Sequence, residues 1–270
     1  MMPFIHIGRI TIASFGLCVG AAMLISYFVL ARDVERRGLQ VPADLLVALP
    51  CIAGLVGAKL YHVSEDPRLL MANPGELISQ YGFAWFGGFL GGLIAFVLLA
   101  WRYRVPLLEM FDTASPAAAL GYGIGRIGCL VSGDGDYGIP TSLPWGMSFP
   151  HGLVPTTQRV HPTPIYELIV AIFIFWWLWK LGGRQAVQKT DAKAKTKGLS
   201  GVAIPRGMVF AQYLILTGVA RFLVEFIRIN PRSFFGMTNA QTAALASIIL
   251  GVILIANLRR HSRPAVSANR

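Results

Sequence analysis

Charge is what this sequence has least of. Asp, Glu, Lys and Arg make up 14% of its 270 residues, where a soluble domain carries about a quarter. That shortage excludes an ordinary water-soluble surface and points to a membrane protein. Acidic residues are scarcer still, 13 against 24 basic ones, for a formal charge of +11. A basic excess can signal nucleic-acid binding. Here the basic residues sit between apolar runs and form no patch or stripe, so no nucleic-acid partner is expected. Cys18, Cys51 and Cys129 are odd in number and scattered, and fit neither a disulfide framework nor a metal-ligand spacing. Cys18 and Cys51 lie in apolar runs and read as core residues. Little positive charge precedes the first apolar run, which is itself long enough to span, so no cleavable signal peptide is expected. No clear internal repeat is visible, which argues against a transporter built from inverted halves.

Apolar length is what the sequence does have. The chain is 54% hydrophobic, with a mean hydropathy of +0.58. A spanning helix needs roughly 20 apolar residues, and seven stretches qualify: Ile10 to Ala31, Ala43 to His62, Phe83 to Trp101, Leu107 to Val131, Pro164 to Leu181, Gly207 to Ile229 and Thr238 to Leu258. Sixteen basic residues fall in the loops after the first, third and fifth spans and in the tail, five on the opposite side, and three (Lys59, Arg126, Arg221) within spans. Basic loops stay in the cytoplasm. The expectation is an all-α integral membrane fold of seven transmembrane helices, N-terminus outside and C-terminus cytoplasmic, forming a single transmembrane domain over residues 1–270. The segment 132–160, broken by Pro140, Pro144, Pro150 and Pro155, predicts a small folded periplasmic cap. The Lys/Ala/Gly/Thr-rich stretch within 182–206 predicts a mobile basic cytoplasmic loop, either a solvated linker or a contact for anionic lipid.

An arginine at the centre of a spanning helix costs about 2.5–3.5 kcal/mol on insertion scales, so such residues face a cavity or a partner. Arg126 lies near the outer end of the fourth span. Arg221 and Glu225, in "RFLVEF", are an i, i+4 pair on the sixth, and Arg228 follows on the same side. Two guanidinium groups on different helices at similar depth suit a phosphate clamp. The bland alternative is that Arg221 and Glu225 neutralise each other while Arg126 snorkels to headgroups. "GYGIGRIG" contains G-x-G-x-x-G, but inside a spanning helix it is no dinucleotide fingerprint; its glycines permit close helix approach or let a headgroup reach the backbone. Helix packing is the default reading of "FGGFLGG" (Phe86 to Gly92) too, with a cavity wall as the functional one. Asp134 and Asp136 pair with Arg126 or shape their loop; no metal is expected. His161 either acts as a base or bonds to the loop, and Glu167 anchors the cap or an arginine.

"GRIGCLVSGDGDYGIPTSLPWGMSFP", "HPTPIYE" and "RFLVEFIR", in that order on a chain of this size, resemble the phosphatidylglycerol–prolipoprotein diacylglyceryl transferases. The resemblance implies an enzyme of the bacterial cytoplasmic (inner) membrane, multi-pass, without a cofactor. It would move the diacylglyceryl group of phosphatidylglycerol onto the lipobox cysteine thiol of a preprolipoprotein signal peptide, giving a thioether. It implies catalytic roles for Arg126, Arg221, Glu225 and Asp134, the last standing where the family often has glutamate. Substrate contact is expected of Arg126, Arg221, Cys129, Gly138, Gly87, His161, Phe15 and Phe86. Cys129 stands where many members have asparagine. Phe15 and Phe86 stand where the family usually has a tyrosine in the first span and a histidine or tyrosine opening the third. If that histidine takes the thiol proton, the base here is another group, with Asp134, Asp136, Glu225 and His161 as candidates. The alternative function is a lipid-binding relative with lost or altered acceptor activity.

Overall fold

A short hairpin opens the chain: β1 (Phe4–Ile7) pairs antiparallel with β2 (Ile10–Ala13), Phe4 opposite Ala13. The computed structural model describes residues 1–8, 10–65, 75, 84–193, 204–232 and 236–261. Among the described residues, seven helices follow the hairpin: α1 (Ser14–Arg37), α2 (Ala43–Glu65), α3 (Trp85–Arg102), α4 (Leu107–Ser132), α5 (Thr163–Lys193), α6 (Met208–Val224) and α7 (Asn239–His261). A single 3-10 turn, Glu225–Ile227, extends α6. Between α4 and α5 lies a second small hairpin, β3 (Met147–Phe149) with β4 (Thr156–Val160).

Five of these helices are long and apolar enough to cross a membrane: Ser14–Arg37, Ala43–Glu65, Thr163–Gln188, Met208–Ile227 and Asn239–Arg260. Helix α3 is apolar but shorter, and α4 carries Glu109, Asp112 and Arg126 among its glycines. Large apolar side chains point outward from them; Phe173 and Leu223 are more than half exposed. Such outward faces suit hydrocarbon rather than water.

The chain divides into two compact units, residues 38–110 and residues 1–37 with 111–270. In the 38–110 unit, α2 and α3 meet along a glycine seam. A Cβ built on Gly87 would stand 2.3 Å from the Gly57 carbonyl oxygen, and one on Gly91 2.3 Å from that of Ala53. Only glycine lets two backbones approach so closely.

In the larger unit, polar side chains bolt helix ends together. Asp112 of α4 caps α6 from outside: its carboxylate accepts the Gly207 N–H at 2.7 Å and the Phe210 N–H at 2.8 Å. Gln185 of α5 donates to the same carboxylate at 2.8 Å and accepts from Arg37 of α1 at 2.6 Å. Four N–H groups at a helix start lack intrahelical partners, so a carboxylate there both satisfies donors and meets the positive end of the dipole. Helix α7 starts with a reciprocal capping box, Thr238 Oγ1 taking the Gln241 N–H and Gln241 Oε1 the Thr238 N–H, each at 3.1 Å.

Several expected boundaries move. The first span begins at Ser14 rather than Ile10, because residues 10–13 pair in β2. Ser14 secures that switch by donating from both its N–H (2.9 Å) and its Oγ (3.0 Å) to the Pro3 carbonyl. Helix α5 runs on to Lys193, so residues 182–193 of the expected mobile loop are helical; residues 194–203 lie outside the described ones. The segment after α4 is non-helical up to Thr163, and its prolines and left-handed glycines (Gly133 φ 59, Gly135 φ 93) explain why.

Candidate active site

Helix α4 stops where Gly133 takes a left-handed conformation and returns its N–H to the Cys129 carbonyl at 2.9 Å. The chain then builds a small folded piece whose core is Tyr137, Phe149 and Val160, with the Tyr137 and Phe149 rings stacked 5.1 Å apart. Arg159 donates to the Leu143, Pro144 and Gly146 carbonyls and holds that turn closed. Gly138 is the pivot. It bridges to Arg228, donates its N–H to the His161 carbonyl at 2.9 Å, and a Cβ on it would stand 2.5 Å from the Ile227 carbonyl oxygen. No side chain fits between the end of α6 and the entry to α5, so glycine here is a packing requirement. The pinned loop delivers Asp136 to the helices.

Three guanidinium groups and three carboxylates meet at this point. Glu167 of α5 is the hub: Oε1 accepts from Arg221 Nη1 at 3.0 Å, and Oε2 faces Arg126 Nε and Arg228 Nη1, each at 3.4 Å. The Tyr122 hydroxyl, one turn before Arg126 on α4, donates to the same carboxylate. Asp136 joins Arg126 through one oxygen and Arg228 through the other. Glu225 faces Arg221 Nη2 at 3.2 Å and Arg228 Nε at 3.7 Å, and accepts from Asn230 Nδ2 at 2.5 Å. The Tyr122 ring lies 4.7 Å from the Arg126 guanidinium, within cation–π range. Burying such charges is costly unless each is paired, and here every one is. Burial pushes the Asp136 carboxyl up, but Arg228 and Arg126 together outweigh it and hold it below the ordinary carboxylate range.

The two arginines singled out in the sequence therefore converge, from α4 and α6, on one carboxylate of α5. Their side chains stay 15% and 26% exposed, whereas that of Arg228 is 4% exposed. Arg126 and Arg221 are thus the two guanidinium groups that keep part of a face open. Glu167 ties both to α5, and Arg228 meets the same carboxylate.

The other expected residues distribute as follows. Cys129 is buried and accepts from Arg126 Nη1 at 3.7 Å. Asp134 takes the Asp136 N–H at 3.2 Å and, among the described residues, makes no ion pair. Cys129, Asp134 and Asp136 offer ligand atoms within 4.8 Å of one another, but both Asp136 oxygens already hold guanidinium groups, so this trio is a poor donor set for a cation. His161 bonds to the loop through its backbone, and its Nδ1 meets the Tyr166 hydroxyl at 3.2 Å. The Trp145 indole N–H, which can only donate, takes a lone pair of that same hydroxyl at 2.8 Å. Trp145 and His161 thus share the Tyr166 hydroxyl as a partner. Phe15 lies against α4, its ring 3.0 Å from where a Cβ on Gly128 would stand. Gly87 sits in the α2–α3 seam, and Phe86 beside it is 68% exposed; both belong to the other compact unit.

Sequence reading undervalued Glu167, Arg228 and Tyr122. Spacing held the signal for two of them. Arg221, Glu225 and Arg228 stand at i, i+4, i+7, and Tyr122 stands at i−4 from Arg126, the spacings at which residues of a continuous α-helix share a face. Nothing local marks Glu167 as the shared partner, because its three arginines arrive from α4, α6 and the segment after it.

The family profile of prolipoprotein diacylglyceryl transferases matches residues 3–257. A phosphatidylglycerol–prolipoprotein diacylglyceryl transferase of Clostridium tetani is 30% identical over 90% of this chain and 92% of its own. The enzyme of the same name from Cutibacterium acnes is 30% identical over 96% of this chain and 85% of its own. That of Synechococcus elongatus is 28% identical over 97% and 91%.

Proposed function

The chain belongs to the prolipoprotein diacylglyceryl transferase family, and we propose that it transfers the diacylglyceryl group of phosphatidylglycerol to the lipobox cysteine thiol of preprolipoproteins. The observation that carries this reading is the convergence of Arg126 and Arg221 on Glu167. Glu167 keeps the two guanidinium groups at one spot, and their open faces receive the headgroup phosphate.

The acceptor thiol gives up its proton and the thiolate attacks the primary glycerol carbon that bears the phosphate ester. A carbon–sulfur bond forms, the carbon–oxygen bond breaks, and the electron pair leaves on glycerol phosphate. Charge grows on that phosphate oxygen in the transition state, where Arg126 and Arg221 donate. Losing one such aimed donor typically costs about 3–4 kcal/mol. Asp134 suits the proton acceptor: it borders the Arg126–Cys129 edge of the site and has no guanidinium partner among the described residues, whereas Asp136, Glu167 and Glu225 are each held by two or more. Arginines nearby also lower a thiol's pKa, which reduces the demand on a base. Phe15, packed on Gly128, fills its groove without supplying a hydroxyl. The match over nearly the whole chain favours the transferase over an inactive lipid-binding relative.

For the membrane arrangement we take seven crossings, with α3 and α4 added to the five long apolar helices, the N-terminus and the 132–160 cap in the periplasm, and the basic segment 182–206 in the cytoplasm of a bacterial inner membrane. The sixteen-to-five distribution of basic residues supports it. Thiol labelling of single-cysteine variants in intact cells tests the sidedness.

The deciding experiment is transfer from labelled phosphatidylglycerol vesicles to a lipobox peptide. The wild type is expected to label it, and Arg126→Ala and Arg221→Ala to abolish labelling. Near-normal labelling by either variant would refute the clamp.

A further inference from the structure

Helix α4 has four glycines between Gly121 and Gly128, and three are accounted for by neighbours. A Cβ on Gly121 would meet Ser26 Oγ at 2.4 Å, one on Gly123 Ala171 Cβ at 2.7 Å, and one on Gly128 the Phe15 ring at 3.0 Å and Cys18 Cβ at 3.1 Å. These three let α1 and α5 press against α4. Gly125 differs: among the described residues, a Cβ there would meet nothing within 4 Å. Protein packing does not require glycine at this position. Helix formation disfavours it, since alanine is the better helix former.

The position has an address. At 3.6 residues per turn, Tyr122, Gly125, Arg126 and Cys129 stand at i, i+3, i+4 and i+7, so they share one stripe of α4. On that stripe the Tyr122 ring lies against Arg126, and Arg126 reaches Cys129, Asp136 and Glu167. The bare spot therefore lies at the edge of the stripe that carries the guanidinium, one residue from Arg126 along α4. A membrane-facing glycine at acyl-chain depth would have no such neighbours.

We propose that Gly125 is kept without a side chain so that the glycerol-phosphate portion of the donor lipid lies directly against the backbone of α4 beside Arg126. The proposal rests on the transferase reading and adds a residue that sets how closely the donor approaches. Adding one methyl removes room from the lipid and none from the protein.

Gly125→Ala and Gly125→Val test it, in full-length protein with vesicles of graded phosphatidylglycerol content, alongside melting temperature in detergent. Gly125→Ala is expected to melt no lower than wild type and to need more phosphatidylglycerol for half-maximal transfer. Gly125→Val is expected to lose about tenfold or more in kcat/KM, the scale of overfilling a packed space. Unchanged KM in both variants, or lost activity that follows a lowered melting temperature, overturns the proposal. Wild-type protein that neither transfers from nor retains phosphatidylglycerol would sink the transferase reading itself; an active wild type with indifferent variants sinks only the role of Gly125.

Discussion

Arg126 and Arg221, 95 residues apart in the chain, hold opposite oxygens of one carboxylate, that of Glu167, at 3.4 and 3.0 Å. This shared partner does two things. It shares one negative charge between two cations, and it fixes the distance between them. On the proposed reading, a phosphate arriving at their open faces would find donors already aimed, which is the condition for stabilising charge as it develops.

Replacing the hub exposes its role. Glu167→Gln keeps the shape but removes the charge that balances Arg126, Arg221 and Arg228. Breaking a buried ion pair costs about 3–5 kcal/mol, and the part-exposed arginines place this change near the lower end. The expected result is a lowered melting temperature in detergent together with weakened phosphatidylglycerol retention. A variant as stable as wild type would show that Glu167 does not hold the arginines.

Asp136 makes the site sensitive to acid. Its carboxyl is held below the ordinary carboxylate range by Arg228 and Arg126 against the opposing effect of burial. A group whose folded value is depressed contributes stability above its unfolded value, about 3.9 for Asp, and loses it as pH falls through the folded one. Wild type should therefore exceed Asp136→Asn in melting temperature by a constant margin from neutrality down to about pH 4, with the margin closing below. Convergence at higher pH would contradict the depressed value.

Asp112 lies towards the opposite end of α4 from Arg126 and caps α6. Asp112→Ala removes the acceptor for the Gly207 and Phe210 N–H groups and one of the two acceptors of the Gln185 amide. Loss of a capping side chain costs about 0.5–2 kcal/mol, and burial of the abandoned donors puts this one at the upper end. Thermal unfolding measures it. Hydrogen exchange should rise first in the opening turn of α6.

Some of this protein was written in the sequence. Apolar length specified its long helices, because hydrocarbon admits only backbones that satisfy their own hydrogen bonds. Prolines and glycines after Ser132 specified a break, and the cost of buried arginine marked Arg126 and Arg221 as residues needing partners. Local spacing paired Arg221 with Glu225 for the same reason: residues four apart share a helix face. The tertiary structure alone decided who the other partners are. Glu167 collects arginines from α4, α6 and the segment after it, the loop pivot at Gly138 brings Asp136 between Arg126 and Arg228, and Gly125 alone of its glycine run is left bare. Such pairings depend on how helices distant in sequence turn and slide against each other, and no local periodicity encodes that.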